Sequence, residues 1–189
     1  EYKVTPQMSI SFVLSAATLS PFFLGWMATL LTGGSKKIGK TGVLYHSITL
    51  NPPRSLSQVN SKRFTLFLKR LQENNIRTCS VREWLDHRFK TEASATGIRL
   101  LPLAFDDGFS DVYENAFPVL QELGMSATFY PVAGFMGRIS EWDPVARLHH
   151  LTKQQLREIS DAGMEVGSHT LTHPDLRRLS PRAVRMELE

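Results

Sequence analysis

The sequence is short of cysteine, of clustered positive charge and of several familiar catalytic motifs, and each shortage excludes a class of protein. The single cysteine, Cys79, cannot form an intrachain disulfide, and its apolar surroundings predict a buried thiol. The net charge is +4 over 189 residues, yet no Lys/Arg block is dense enough for a nucleic-acid-binding surface. The stretch Gly33-Gly34-Ser35-Lys36-Lys37 fails the spacing of a phosphate-binding loop, and no Gly-x-Ser-x-Gly elbow of a serine hydrolase occurs.

Charge is also missing from the N-terminal part of the chain. Residues 4–35 carry no charged side chain, and the stretch from Met8 to Leu31 is the most apolar part. This stretch is long enough to cross a bilayer, which takes about 20 apolar residues. A buried helix is the alternative, although little else in the chain could cover so apolar a surface. We therefore predict a membrane anchor or signal segment at 1–40, without a clear cleavage site, followed by a globular domain at 41–189.

The most informative stretch for function is an apolar run that ends in two adjacent carboxylates. Residues 99–105 predict a strand, and Asp106-Asp107-Gly108 ends it. In α/β proteins, ligands bind at the carboxyl ends of the strands. Adjacent carboxylates repel each other unless a cation or a shared proton separates their states, so one can bind a metal while the other acts as a base. A simple polar turn is the alternative, since Asp-Gly is a common turn dipeptide.

A second polar motif follows the strand-like stretch 164–167. It reads Ser168-His169-Thr170-Leu171-Thr172-His173-Pro174. The spacing His-x-x-x-His predicts a helical turn that presents two imidazoles on one face. One carboxylate and two imidazoles suit a catalytic zinc or a similar divalent ion, with positions left for water and substrate. Such a histidine pair alone is often accidental, but together with the carboxylate pair it indicates a metal centre.

These two motifs resemble those of a known family. Ala104-Phe105-Asp106-Asp107-Gly108 resembles the first motif of the polysaccharide deacetylases, whose domain is called the NodB-homology domain, and 168–173 resembles the second. The stretches 115–120 and 124–130 are similar to the segments that lie between the motifs. By this resemblance, Asp106 is the general base. The resemblance also implies a metal, Zn²⁺ or another divalent transition ion, with the ligands Asp107, His169 and His173. Chemistry alone would allow the two carboxylates to exchange roles, and only the family pattern assigns them.

A third histidine lies near the end of the first predicted strand, 42–48. From the sequence alone, His46 is a capping or core histidine. The exopolysaccharide branch of the family, which includes poly-N-acetylglucosamine deacetylases, is similar here, because its domain often begins with a Tyr-His strand. The resemblance therefore implies that His46 is the general acid.

Strands that alternate with helices predict an α/β protein built from parallel βαβ units. The strands are expected at 42–48, 76–81, 99–105, 127–132 and 164–167. The helices are expected at 61–74 with a serine cap, 81–89, 112–123 with a kink at Pro118, 152–162, and after Ser180. The resemblance implies an irregular (β/α) barrel with more strands than these, so we expect a domain truncated at its C-terminus behind an N-terminal hydrophobic helix.

The resemblance implies a metal-dependent hydrolase that removes N-acetyl groups from an N-acetylglucosamine-containing polysaccharide. An O-acetyl xylan or glycan esterase and a non-catalytic glycan-binding protein are the alternatives. Lysines 36, 37 and 40 follow the apolar segment and would keep the domain cytoplasmic by the positive-inside tendency. The family resemblance implies export instead. We expect an extracytoplasmic domain, secreted or anchored, whose partners are a polysaccharide and, through the N-terminal segment, a membrane.

Three further residues, Trp142, His149 and His150, are not expected to take part in catalysis or metal binding. Trp142 is expected to pack in a loop, or alternatively to stack on a sugar. His149 and His150 are expected to be solvated residues before a helix. Adjacent imidazoles also diverge too far to share one ion easily.

Overall fold

A computed structural model describes residues 42–89, 99–142 and 147–189. The segment 1–40 lies outside these ranges, so its hydrophobic helix and membrane contact remain predictions. Among the helices within these ranges, none combines the length and the apolar character needed to cross a membrane.

Short strands alternate with helices along the described part of the chain. The strands are β1 (Val43–Tyr45), β2 (Ser47–Thr49), β3 (Gln58–Asn60), β4 (Ile76–Cys79), β5 (Arg99–Phe105), β6 (Thr128–Phe129) and β7 (Glu165–Val166). The helices are α1 (Ser61–Glu73), α2 (Val81–Phe89), α3 (Ser110–Asn115), α4 (Phe117–Glu122), α5 (Lys153–Asp161) and α6 (Pro181–Leu188), with 3₁₀ turns at Ala133–Phe135 and Leu176–Arg178.

Strand β5 is the centre of a parallel sheet. Its first half pairs with β4, its second half pairs with β1 and β6, and β7 pairs with β6. Strands β2 and β3 form a separate parallel pair. Because the strands of the larger sheet run parallel, their carboxyl ends meet at one edge, where the two polar motifs follow β5 and β7. The α/β prediction is confirmed, and the irregular (β/α) barrel remains a prediction.

The core behind this edge is rich in aromatic rings. The ring of Phe105 stacks on Phe129 at 4.9 Å between centroids, and Tyr45 and Phe64 lie 6.0 and 5.9 Å from it. Helix α1 covers this cluster with one apolar face at the i, i+3, i+4, i+7 spacing, formed by Phe64, Phe67, Leu68 and Leu71. The end of β5, where the first motif begins, is therefore held from several sides.

Two boundaries near the N-terminal end of the domain differ from the predictions. The strand predicted at 42–48 is divided at His46, because β1 pairs with β5 whereas β2 turns to pair with β3. Helix α1 is capped by Asn60, not by a serine, since the Asn60 side chain accepts a hydrogen bond from the amide of Lys62. The buried thiol predicted for Cys79 is confirmed.

The helix predicted at 112–123 consists of two shorter helices. The break falls at Ala116, and Pro118 occupies the first turn of α4. Proline is tolerated there because the first turn has no helical partner for its missing amide hydrogen. The N-caps of the last two helices are as predicted. Thr152 caps α5 in a capping box with Gln155, and Ser180 caps α6. Strands β6 and β7 are shorter than predicted, at two residues each.

Candidate metal centre

The first motif is a tight turn at the end of β5. Asp107 and Gly108 both have left-handed backbone angles, with φ of 65° and 68°. The amide of Asp106 still donates to the carbonyl of Tyr45 at 2.9 Å, so the chain leaves the sheet only after this residue. A Cβ atom at position 108 would lie 2.7 Å from Cα of Pro131, so both the φ angle and the close approach require glycine. As a result, Asp107 is buried, with only 5% of its surface exposed.

The second motif is an irregular loop, so the predicted helical turn is wrong. Thr170 and His173 have left-handed φ angles of 68° and 60°. The backbone groups that a helix would bond internally are taken by the neighbouring segment 131–134 instead. These bonds run from the amide of His169 to Pro131 O (3.0 Å), from Ala133 to Thr170 O (3.0 Å) and from Gly134 to Leu171 O (2.8 Å). The histidine spacing is common to both conformations, which is why the sequence could not distinguish them.

The turn and the loop bring one carboxylate and two imidazoles together. Oδ1 of Asp107 lies 3.6 Å from Nε2 of His169 and 3.3 Å from Nε2 of His173. One potential ligand atom from each residue lies within 4.8 Å of the other two. The imidazoles are about a third exposed, at 32% and 34%, so solvent reaches the cluster from one side.

The cluster fits a divalent cation by the chemistry of its donors. Oδ1 of Asp107 is buried and has no hydrogen-bond partner within the described ranges. A buried carboxylate is costly unless a charge or a hydrogen-bond donor faces it. Two imidazole nitrogens and one carboxylate oxygen form the three-ligand set of a catalytic zinc site, which leaves a position for water or substrate.

The second carboxylate of the motif is in a different environment. Burial raises the pKa of Asp106, and the charge of Asp107 raises it further, while His169 and His46 oppose these effects. A carboxyl group of raised pKa beside a ligand cluster suits a general base. His46 lies between β1 and β2, close enough to Asp106 to influence its pKa. The structure thus gathers all five predicted site residues around the carboxyl ends of β1, β5 and β7.

His150 belongs to this site as well, contrary to the expectation of a solvated residue. It is only 2% exposed, and its Nδ1 lies 2.9 Å from the carbonyl oxygen of Asp107. Because a carbonyl can only accept, Nδ1 must carry the proton. Burial lowers the pKa of His150, so the ring stays neutral in this role. The prediction failed because an antiparallel bridge between His150 and Phe109 brings the imidazole of His150 against the turn at Asp107. No local sequence pattern indicates such a contact. His149 is exposed, as predicted.

Trp142 packs, which is one of its two expected roles. Its ring stacks on the imidazole of His173, with 4.5 Å between centroids and 23° between planes. Phe135 and His150 contact the same indole at 4.8 and 5.1 Å. These aromatic neighbours restrict the orientation of the His173 ring. No spacing in the sequence links them, since they come from separate loops.

The comparison with known protein families agrees with this geometry. The family model described as polysaccharide deacetylase matches residues 93–189, about half of the chain and both polar motifs. The chain belongs to the polysaccharide deacetylase family.

Two curated relatives of this deacetylase-family chain are longer than the stretch that it matches. It is 31% identical over 146 residues to the Bacillus subtilis protein YxkH, across 77% of this chain and 47% of YxkH. It is 27% identical over 123 residues to a Staphylococcus aureus poly-β-1,6-N-acetyl-D-glucosamine N-deacetylase, across 65% of this chain and 39% of that enzyme. The chain therefore spans less than half the length of both relatives.

Two solved structures share the fold. The Streptococcus pyogenes deacetylase PplD, determined with acetate, superposes with a TM-score of 0.64 at 26% identity, over 78% of this chain and 63% of PplD. IcaB from Ammonifex degensii superposes with a TM-score of 0.58 at 26% identity, over 76% of this chain and 56% of IcaB.

Proposed function

We propose that this chain is the catalytic domain of a metal-dependent deacetylase that removes N-acetyl groups from an N-acetylglucosamine-containing polysaccharide. The observation that carries the proposal is the buried Asp107 carboxylate, which faces two imidazoles beside a second carboxylate of raised pKa. The similarity to a poly-N-acetylglucosamine N-deacetylase supports the choice of substrate.

Asp107, His169 and His173 hold the cation, for which we propose Zn²⁺. A divalent ion held there supplies Lewis acidity, which polarises the acetyl carbonyl and lowers the pKa of a water molecule. Asp106 accepts a proton from the attacking water as the water oxygen bonds to the carbonyl carbon. His46 donates a proton to the sugar nitrogen as the carbon–nitrogen bond breaks, and acetate leaves. The two proton-transfer groups thus stand apart from the ligand set.

The proposal also assigns a role to each of the two parts of the chain, residues 1–40 and residues 41–189. Residues 41–189 form the deacetylase domain, for which we expect the irregular (β/α) barrel fold. Residues 1–40 anchor or export it, because a polymeric glycan of the cell envelope lies outside the membrane. Protease digestion of intact cells that carry a tagged chain tests this location, since a cytoplasmic domain would be protected.

The proposed function is tested by metal content and acetate release. Wild-type protein should hold about one zinc per chain, as expected for a single catalytic site, and the His169→Ala/His173→Ala double variant should hold none. Asp106→Asn should keep the zinc but lower acetate release from N-acetylglucosamine oligomers by about 10²–10⁴-fold, the usual contribution of a general base. His149→Ala is the matched control, because this exposed imidazole lies outside the cluster.

Each contrary result has a distinct meaning. Folded wild-type protein without zinc would overturn the metal centre, and loss of zinc from Asp106→Asn would show that the carboxylate roles are exchanged. Faster release of acetate from O-acetylated xylan oligomers would favour the esterase. Bound zinc without any hydrolysis would favour a glycan-binding protein.

A further inference from the structure

The last helix contacts the loop that carries both histidines. The carboxylate of Glu187, on α6, accepts hydrogen bonds from the amide of Leu171 at 3.1 Å and from the amide of Thr172 at 2.8 Å. It also accepts one from the hydroxyl of Thr172 at 2.7 Å. The amide of Leu171 also donates to the main-chain carbonyl of Glu187, at 3.0 Å, so this one amide has two acceptors on Glu187.

These contacts add to the other hydrogen bonds that hold the loop. The carbonyls of Thr170 and Leu171 accept from the 131–134 segment, on one side of the loop. The amide of His173 is bonded inside the loop, to Oγ1 of Thr170 at 3.0 Å. The next two amides, at 171 and 172, both donate to the carboxylate of Glu187. Because left-handed residues leave the loop without regular structure, these bonds fix its shape.

The position of Glu187 is unfavourable for helix α6 itself. A carboxylate in the last turn lies near the negative end of the helix dipole, where a cation is preferred. Its hydrogen bonds offset this repulsion, since bonds to an ionised acceptor are about twice as strong as neutral ones. The bond from the Thr172 hydroxyl, with the two amides, keeps the pKa of Glu187 below its usual range, so the side chain is ionised at neutral pH.

We propose that Glu187 is a positioning residue of the metal centre: its carboxylate fixes the 169–173 loop so that both imidazoles face Asp107. This inference rests on the proposed metal site. It assigns to α6 a function in metal binding although no atom of the helix belongs to the ligand set. Residues that orient metal ligands typically change metal affinity by about 10–100-fold when they are replaced.

The test measures zinc affinity by competition with a chromophoric chelator and records the visible spectrum of the cobalt(II)-substituted protein. Glu187→Ala should bind zinc about 10–100-fold more weakly and should change the cobalt spectrum. Glu187→Gln should restore part of the affinity, because one amide oxygen can still accept from both backbone amides. Glu189→Ala is the matched control, since Glu189 directly follows α6 and its carboxylate lies 4.0 Å from the Arg185 side chain, with no hydrogen bond to the histidine loop among the described residues.

The outcomes separate this inference from the proposed function. Wild-type zinc affinity and an unchanged cobalt spectrum in Glu187→Ala would overturn the positioning role and leave the metal centre intact. A wild-type protein that binds no zinc would refute the metal centre itself. If Glu187→Ala fails to fold, Thr172→Val decides, because it removes only the hydroxyl donor. It should weaken zinc binding in the same direction, and unchanged affinity would overturn the inference.

Discussion

Replacing Gly134 by alanine should damage the proposed metal centre without changing any of its candidate ligands. The amide of Gly134 donates to the carbonyl of Leu171 at 2.8 Å, inside the loop between the two histidines. A Cβ atom at position 134 would lie only 2.5 Å from that same carbonyl oxygen. The φ angle of Gly134 is outside the left-handed region, so the expected effect is purely steric.

The size of the effect follows from this distance. Carbon–oxygen contacts are comfortable from about 3.3 Å, so the loop or the 131–134 segment must move by roughly 0.8 Å. Overpacking of this kind destabilises a protein by about 1–3 kcal/mol. A displacement of about 1 Å in a catalytic geometry lowers the rate by about 100-fold, and disturbed ligand support lowers metal affinity by about 10-fold or more.

The assays are zinc affinity, acetate release and urea denaturation of Gly134→Ala. Gly163→Ala serves as the control, because its Cβ meets open space and only its φ of +85° is strained. The control should lose about 1–2 kcal/mol of stability, the cost of left-handed backbone for an L-residue, while keeping wild-type zinc affinity. If Gly134→Ala binds zinc and releases acetate like wild type, the close contact between the two loops does not shape the site.

Three further predictions concern the surroundings of the site. Burial raises the pKa of Asp111 to about 6 from 3.8, so folding takes up a proton between these values and stability falls as pH rises through them. Asp111→Asn should remove this fall. The free energy of unfolding of the variant, measured by urea denaturation and compared with that of wild type, should therefore rise by up to about 3 kcal/mol from pH 3.5 to pH 7. An equal difference at both pH values would contradict the shift. Phe105→Ala should cost about 3–5 kcal/mol in thermal unfolding, because the ring is fully buried among other aromatic rings, and a loss below about 1 kcal/mol would contradict its central place in the core. His150→Leu should destabilise the protein by about 1–3 kcal/mol and weaken zinc binding by about 10-fold, because the Asp107 carbonyl loses the imidazole donor and keeps only the longer bond, 3.4 Å, from the amide of Val132. His149→Leu should do neither, and equal effects from both variants would refute the role of His150.

The sequence predicts those parts of the site that rest on local signals. Strand β5 was predicted with its observed bounds, Arg99–Phe105, because its apolar run has a sharp end at Asp106. The proximity of the two motifs follows from the geometry of parallel strands, whose carboxyl ends share an edge. The assignment of Asp106 and Asp107 to different roles came from the family resemblance and is still untested.

The groups that support the ligands lie beyond such reasoning, because their contacts join distant parts of the chain. His150 reaches a backbone carbonyl 43 residues away, which leaves no periodic pattern. Glu187 reaches the histidine loop from 15 or 16 residues away, and from the sequence alone it is an ordinary helical glutamate. The conformation of the loop was mispredicted for the same reason, since its hydrogen bonds go to the 131–134 segment.

The three candidate ligands come from two segments that are far apart along the chain. Asp107 belongs to the first, and His169 and His173 belong to the second. In an unfolded chain, one ion could bind both places only by closing a loop of about 60 residues, at an entropic cost of about 4 kcal/mol. The folded sheet already holds them together, so the ion would bind the folded chain in strong preference to the unfolded one. Zinc would then stabilise the fold by mass action, by about 2.7 kcal/mol at a free concentration 100 times the dissociation constant. In a chain whose single cysteine rules out an internal disulfide, the proposed metal would then serve as a cross-link between distant parts of the fold as well as a catalytic group.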